Sequence, residues 1–257
     1  MVRNHELFSR ENFNSASKIT GIPEQNLTRE DFLTEGEIEK GWQIFKLEKI
    51  QPVNEKNLFR ASLYAILSAS ENFKKQQRVY QDFLNQNLDT AQKILESPEC
   101  LRSILAVIRF PKNKIRYIEN LASWWLETDL PQRIIRDVNY NGRKDEFSLR
   151  NELATAKKGR GIGYKVASLI MSKSGYMNVV PLDIHMLRFL KKFGFWEIKV
   201  PDYKIQSGLS DKEYLRYEQI FIKIAQEQGL PPIILQAALW GRFSEWNDRN
   251  RDQISFW

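Results

Sequence analysis

The sequence predicts an all-α chain. Three observations carry this reading. Apolar residues recur at helical spacing in one segment after another, a full capping box opens one of them, and glycine or proline closes several.

Residues 1–55 are polar and mixed, with one short amphipathic pattern at Ile38, Trp42 and Phe45 before Pro52 interrupts it. From Leu58 to Ser70, the residues Leu58, Phe59, Ala61, Leu63, Ile66 and Leu67 are apolar enough for a buried helix. The small polar turn 68–73 follows, with Ser70 a candidate cap for the next helix. Ile115, Ile118, Leu121, Ala122 and Trp125 line one face of a helix within 109–126. Residues 128–147 carry Pro131 and a Tyr140-Asn141-Gly142 turn signal and read as a surface excursion without chemistry.

Leu149, Leu153, Ala154 and Ala156 predict the next helix, and Val166, Ala167, Ile170 and Met171 the one after, stopped by Gly175. Asp183 stands as an N-cap before the run Met186, Leu187, Leu190 and Phe193, which Gly194 closes. Residues 195–209 read as a loop. Ser210-Asp211-Lys212-Glu213 is a capping box that opens a helix through Tyr217, Ile220, Phe221 and Ile224, ended by Gly229-Leu230-Pro231-Pro232. The last helix is expected near Ile233 to Trp240, where Ala237 and Ala238 permit close packing.

Composition narrows the function. The chain has 257 residues, 42% of them hydrophobic, and seven tryptophans, enough for a proper core in one large or two modest domains. Its net charge of +7 (39 − 32) and isoelectric point near 9.3 favour polyanionic partners. The one cysteine, Cys100, can form neither an internal disulfide nor a four-cysteine iron–sulfur loop. His5 and His185 are too far apart in context for a zinc site, so no metal ligand set is expected. No apolar run approaches the ~20 residues of a membrane span, and Met1 to Glu6 lack a signal-peptide core. A soluble intracellular protein, cytoplasmic or nucleoid-bound, is expected.

The stretch from Lys157 to Ser168 is the most informative. Gly161-Ile162-Gly163 between two helices makes a tight hairpin, and a helix starting near Tyr164 points its first N–H groups out of the turn. Such a helix start suits a phosphate, and Lys157, Lys158 and Arg160 add charge beside it. Lys165 falls in the first turn, where the helix dipole disfavours an ammonium by about 0.3–1 kcal/mol. The penalty favours the neutral amine that a nucleophile requires; an ordinary solvated lysine touching a phosphate is the alternative. Upstream, Phe110 interrupts the basic cluster Arg109 to Arg116. It is either a core residue with solvated neighbours or an aromatic free to stack on a base or wedge into a duplex.

Gly161-Ile162-Gly163-Tyr164-Lys165, followed eighteen residues after the lysine (183 − 165) by Asp183 in Val180-Pro181-Leu182-Asp183-Ile184-His185, resembles the signature of the helix-hairpin-helix DNA glycosylases. Among them it is most similar to the archaeal-type 8-oxoguanine DNA glycosylase/AP lyases, and the run from Arg109 and Phe110 to Tyr117 adds to that likeness. The resemblance covers roughly 58–240 and is most specific at 159–188.

It implies two helical domains with the active-site cleft between them: 58–180, containing the hairpin, and 1–57 with 181–257 from both chain ends. Lys165 would be the Schiff-base nucleophile and Asp183 the carboxylate that stabilises the cationic sugar. Gly161, Gly163, Tyr164, His185, Arg188 and Arg109 would contact DNA, the turn at 68–73 would face the flipped nucleotide, and Trp240 with Phe110 would form the base pocket. The substrate implied is double-stranded DNA with a damaged base, bound by a monomer. No cofactor is implied, although such hairpins can hold a monovalent cation through backbone carbonyls. A glycosylase for a mismatched thymine or uracil, and a hairpin module that only binds DNA, are the alternatives. The latter has no use for a lysine at 165 with a carboxylate at 183.

Overall fold

A computed structural model describes residues 33–69, 71–156, 161–192 and 209–249. Helices are the only regular elements among them: α1 (Glu35–Glu48), α2 (Glu55–Ser68), α3 (Phe73–Asn85), α4 (Ala91–Glu96), α5 (Pro98–Leu105), α6 (Pro111–Glu127), α7 (Leu130–Tyr140), α8 (Glu146–Thr155), α9 (Tyr164–Lys173), α10 (Ile184–Lys192), α11 (Asp211–Glu227) and α12 (Pro232–Arg249). None of the described helices is long and apolar enough to cross a membrane. The described residues fall into two compact units. Lys49–Tyr176 holds α2 to α9, and the residues up to Glu48 join those from Met177 onward to hold α1 and α10 to α12.

In the first of these units α2 is the central helix. Leu58, Phe59, Leu63, Ile66 and Leu67 are buried, each worth about 1.5–3 kcal/mol relative to exposure. Asn54 caps it, its side chain accepting from the Asn57 N–H at 2.9 Å. α6 lays Ile118, Leu121, Ala122 and Trp125 into the same core, and Trp125 meets Phe59 edge-to-face with ring centroids 5.1 Å apart. Ile115, expected on this face, is half-buried at its margin.

The segment 128–147 is not a surface excursion. Most of it is α7, with Leu130, Pro131, Ile134 and Val138 buried at helical spacing. Pro131 sits in the first turn, where a missing N–H breaks no helical bond, so it opens the helix it seemed to interrupt. Asp137 on this helix accepts from the Tyr176 hydroxyl at 2.7 Å, both groups buried. Only the end is a turn, with Gly142 at φ 68°. The cap of α3 is Asn72, whose side chain accepts from the N–H groups of Lys74 and Lys75; Ser70 lies outside the described residues.

In the other unit α1 crosses α12 at Gly41. A Cβ there would lie 2.8 Å from the Ile234 carbonyl oxygen and 3.0 Å from the Ala238 Cβ, so the crossing requires glycine on one helix and a small residue on the other. Arg242 clamps the same pair, its Nη2 donating to Glu37 at 2.7 Å. α12 does not end at Trp240 but continues to Arg249. Gly241 lies inside α12 at another close approach, where a Cβ would fall 3.1 Å from Ile44 Cδ1. α11 opens on the expected capping box of Ser210 and Glu213. The loop expected at 195–209 lies outside the described residues except for Leu209, as do Phe193 and Gly194.

Candidate active site

The hairpin unit shapes one half of the candidate chemistry. α8 and α9 pack against each other, and Leu149 and Leu153 of the first and Val166, Ala167 and Ile170 of the second are buried. Gly161 needs to be glycine twice over: its φ is 68°, and a Cβ would fall 2.6 Å from the ring of Tyr117. Tyr117 of α6 thus braces the hairpin from beneath. Gly163 caps α9 with extended backbone, its carbonyl accepting from the Ala167 N–H at 2.9 Å, and no side chain caps the first turn. A Cβ on Gly163 would meet nothing within 4 Å, so the space in front of that turn is open. Uncapped N–H groups at a helix start are the kind of donors that can hold a phosphate.

Tyr164 and Lys165 are the first two residues of α9, both half-buried. Arg150, 1% exposed, lies under the Tyr164 ring at 5.0 Å and donates to Ser168 Oγ at 2.8 Å, which holds α8 to the start of α9. Lys157, Lys158 and Arg160 lie outside the described residues.

Beside the hairpin, Arg109 and Phe110 lead into α6. Phe110 is not a core residue: it is 61% exposed and left-handed, with φ 55° and ψ 51°. A large side chain in that region carries strain of order 1–3 kcal/mol. Its neighbour is held from across the unit, the Arg109 N–H donating to Glu71 Oε2 at 2.7 Å. Burial would raise the Glu71 carboxyl. The N–H groups of Arg109 and Asn72 and the charges of Lys75 and Lys114 outweigh it and hold the group below the usual carboxylate range. Lys114, one turn into α6, is 3% exposed, and its Nζ donates to the Leu67 carbonyl at 2.8 Å. Burial pushes this ammonium down to about 8; Glu71 works against the shift, and the charges of Lys165 and Lys75 add to it.

The second unit carries Asp183. The Tyr214 hydroxyl accepts from the Leu182 N–H at 3.2 Å and donates to the Val180 carbonyl, while buried Glu218 accepts from the Val180 N–H at 3.1 Å. These bonds fix the segment that delivers Asp183 to the start of α10. There its Oδ1 accepts from the N–H groups of His185 at 2.9 Å and Met186 at 3.0 Å. The expected N-cap is present, and it uses one of the two carboxyl oxygens. His185 and Arg188 follow half-buried and three residues apart, on adjacent turns of α10. Trp240, half-buried, belongs to α12, which packs against α10.

Two contributors escaped the sequence reading, Lys114 and Arg150. The signal was a charge set into an apolar stripe. Lys114 precedes Ile118 by four residues and Leu121 by seven, and Arg150 lies between Leu149 and Leu153.

A sequence model of the 8-oxoguanine DNA glycosylase family matches residues 38–230. The chain belongs to this family. The 8-oxoguanine DNA glycosylase/AP lyase of Korarchaeum cryptofilum is 28% identical over 205 residues, 79% of this chain and 86% of its own. That of Thermoplasma acidophilum is 24% identical over 207 residues, 76% and 85% respectively. The crystal structure of Methanocaldococcus jannaschii 8-oxoguanine DNA glycosylase matches with a TM-score of 0.56 at 21% identity, over 91% of this chain and 95% of its own. The enzyme from the same organism in complex with a 15mer DNA containing 8-oxoguanine matches with a TM-score of 0.59 at 21% identity, over 90% and 94%. The likeness to these structures is one of fold: helical throughout, with the hairpin set between two helices.

Proposed function

We propose that the protein excises 8-oxoguanine from double-stranded DNA and then cuts the strand at the abasic site, as a glycosylase with AP-lyase activity in base excision repair. The observation that carries this reading is the start of α9. A lysine occupies the second position of a helix whose first turn has no side-chain cap and opens to space, behind a hairpin glycine held left-handed.

Flipping a base out of the duplex costs a few kcal/mol, which phosphate contacts offset without reading sequence. The α9 N–H groups, Arg109, His185 and Arg188 supply those contacts. Trp240 and exposed Phe110 offer aromatic faces to the DNA bases. The neutral Lys165 amine attacks C1′ of the sugar, and the base leaves with the bonding electrons and takes up a proton. The sugar ring opens to a Schiff base on Lys165. Loss of a proton from C2′ then expels the 3′-phosphate by β-elimination, and water releases the lysine. Asp183 stabilises the positive charge that builds on the sugar as the base departs. Amine and carboxylate both come from the chain, and the steps call for no cofactor. The protein acts as a monomer.

The test is a panel of duplexes carrying 8-oxoguanine, mismatched thymine or mismatched uracil, with wild type and Lys165→Gln. The expected result is cleavage at 8-oxoguanine by wild type only, with DNA binding retained in the variant. Preference for thymine or uracil would assign another lesion, and binding without product from any duplex would make this a non-catalytic module.

A further inference from the structure

Phe110 stands against its local preferences. It is left-handed, with φ 55° and ψ 51°, a region that a large side chain avoids. Pro111 follows it, and the residue before a proline is pushed toward extended backbone. The ring is 61% exposed, so burial does not offset the strain. Two bonds frame the residue. On one side the Arg109 N–H donates to Glu71 Oε2 at 2.7 Å, while Glu71 Oε1 accepts from the N–H of Asn72, the cap of α3, at 3.1 Å. On the other side Lys114, in the first turn of α6, donates from Nζ to the Leu67 carbonyl at 2.8 Å. The end of α2 and the turn after it thus grip the entry to α6 both before and after Phe110. A strained backbone held from outside, around an exposed aromatic, is the pattern of a functional surface and not of a core.

The place of the ring gives its use. Phe110 precedes Tyr117 by seven residues, two turns or roughly 10 Å along α6, and Tyr117 packs against the hairpin glycine Gly161. The exposed ring therefore stands beside the hairpin, where an aromatic can part a base step. We propose that Glu71 is a positioning residue for DNA engagement: by bonding the backbone of Asn72 and of Arg109, it locks the entry to α6 in the conformation that turns the Phe110 ring out to the duplex. This rests on the reading of the protein as a DNA glycosylase. Glu71 does not touch DNA, because a carboxylate repels phosphate and both of its oxygens are engaged by backbone N–H groups. It acts through Phe110.

The experiment uses one duplex with 2-aminopurine beside 8-oxoguanine, whose fluorescence rises when its neighbours unstack, and a second with a preformed abasic site. Wild type, Glu71→Ala, Glu71→Asp, Glu71→Gln, Phe110→Ala and the double variant Glu71→Ala with Phe110→Ala are compared. The readings are the fluorescence rise on binding, single-turnover cleavage of each duplex, and the melting temperature. Glu71→Ala is expected to lose the fluorescence rise and to excise 8-oxoguanine about tenfold more slowly, with abasic-site cleavage little changed. Glu71→Asp keeps the charge but is one methylene too short to reach Arg109, and it behaves as Glu71→Ala does. Glu71→Gln, which keeps an oxygen for the Arg109 N–H, retains the wild-type signal and rate. The double variant is no slower than Phe110→Ala, since both changes remove one effect. Losses that multiply in the double variant, wild-type behaviour of Glu71→Ala, or an equal loss on both duplexes would each overturn the proposal, the last leaving Glu71 a structural brace. Wild type that unstacks the reporter without excising would overturn the proposed reaction and not the role of Glu71, which the fluorescence reads by itself. Wild type that gives no rise on binding would overturn both.

Discussion

Asp183→Asn separates two jobs assigned to one carboxyl. In the fold Asp183 Oδ1 accepts from the N–H groups of His185 and Met186 at 2.9 and 3.0 Å, and its backbone carbonyl accepts from Leu187 at 3.0 Å. An asparagine offers the same acceptor atom and ranks with aspartate as an N-cap. What disappears is a negative charge at the positive end of α10, worth about 0.3–1 kcal/mol. Folding stability is therefore expected to fall by less than ~1 kcal/mol, whereas Asp183→Ala, which loses both bonds as well, adds a further ~0.5–2 kcal/mol. The chemistry is hit harder, because an amide cannot neutralise the charge developing on the sugar. Losing one preorganised electrostatic partner of a transition state costs ~10²–10³-fold in rate. Thermal denaturation and single-turnover excision of 8-oxoguanine, measured on the same preparation, give both numbers. A variant that melts clearly lower yet excises at the wild-type rate would leave Asp183 a helix cap and nothing more.

Three other outcomes are expected. Trp240→Ala should slow 8-oxoguanine excision by roughly tenfold, since a stacked base is worth ~1–3 kcal/mol, while cleavage of a preformed abasic site changes little; equal loss on both substrates would take Trp240 out of the pocket. Gly161→Ala forces a left-handed alanine, at about 1–2 kcal/mol, and drives a methyl into the Tyr117 ring; melting temperature and duplex affinity should both drop, and unchanged affinity would mean that the hairpin does not hold DNA. Lys114 has a folded-state value of about 8 against an ordinary 10.5, so between those values the unfolded chain holds more protons and the stability contributed by this group rises with pH. Lys114→Met should therefore melt above wild type at neutral pH, with the difference shrinking as pH climbs from about 8, and a difference independent of pH would refute that sign.

Most of the helical layout could be read from periodicity. Ile38, Trp42 and Phe45 marked α1, Leu58 to Leu67 marked α2, and the Ser210–Glu213 box fixed the start of α11. These signals are local, carried by residues within a turn or two of each other. Failures came where one residue type has two uses. Pro131 can break a helix or open one, and its place in the first turn of α7 decides the matter. Near the site, the hairpin before Lys165 and the helix cap at Asp183 were legible because each is encoded within a few positions. Phe110 was ambiguous because exposure is a tertiary property, set here by the Glu71 bond to its neighbour Arg109. Lys114 read only as part of the basic cluster Arg109 to Arg116 and Arg150 carried no reading, because the bonds that hold them run to distant helices, α2 in one case and α9 in the other.

The central claim is that Lys165 is the amine that joins the DNA. It is tested most directly by trapping the protein with borohydride on an 8-oxoguanine duplex, digesting the cross-linked product and locating the sugar remnant by mass spectrometry. The account predicts one modified peptide, with the adduct on Lys165. An adduct on Lys114, on any other lysine or on the chain's amino terminus would contradict it.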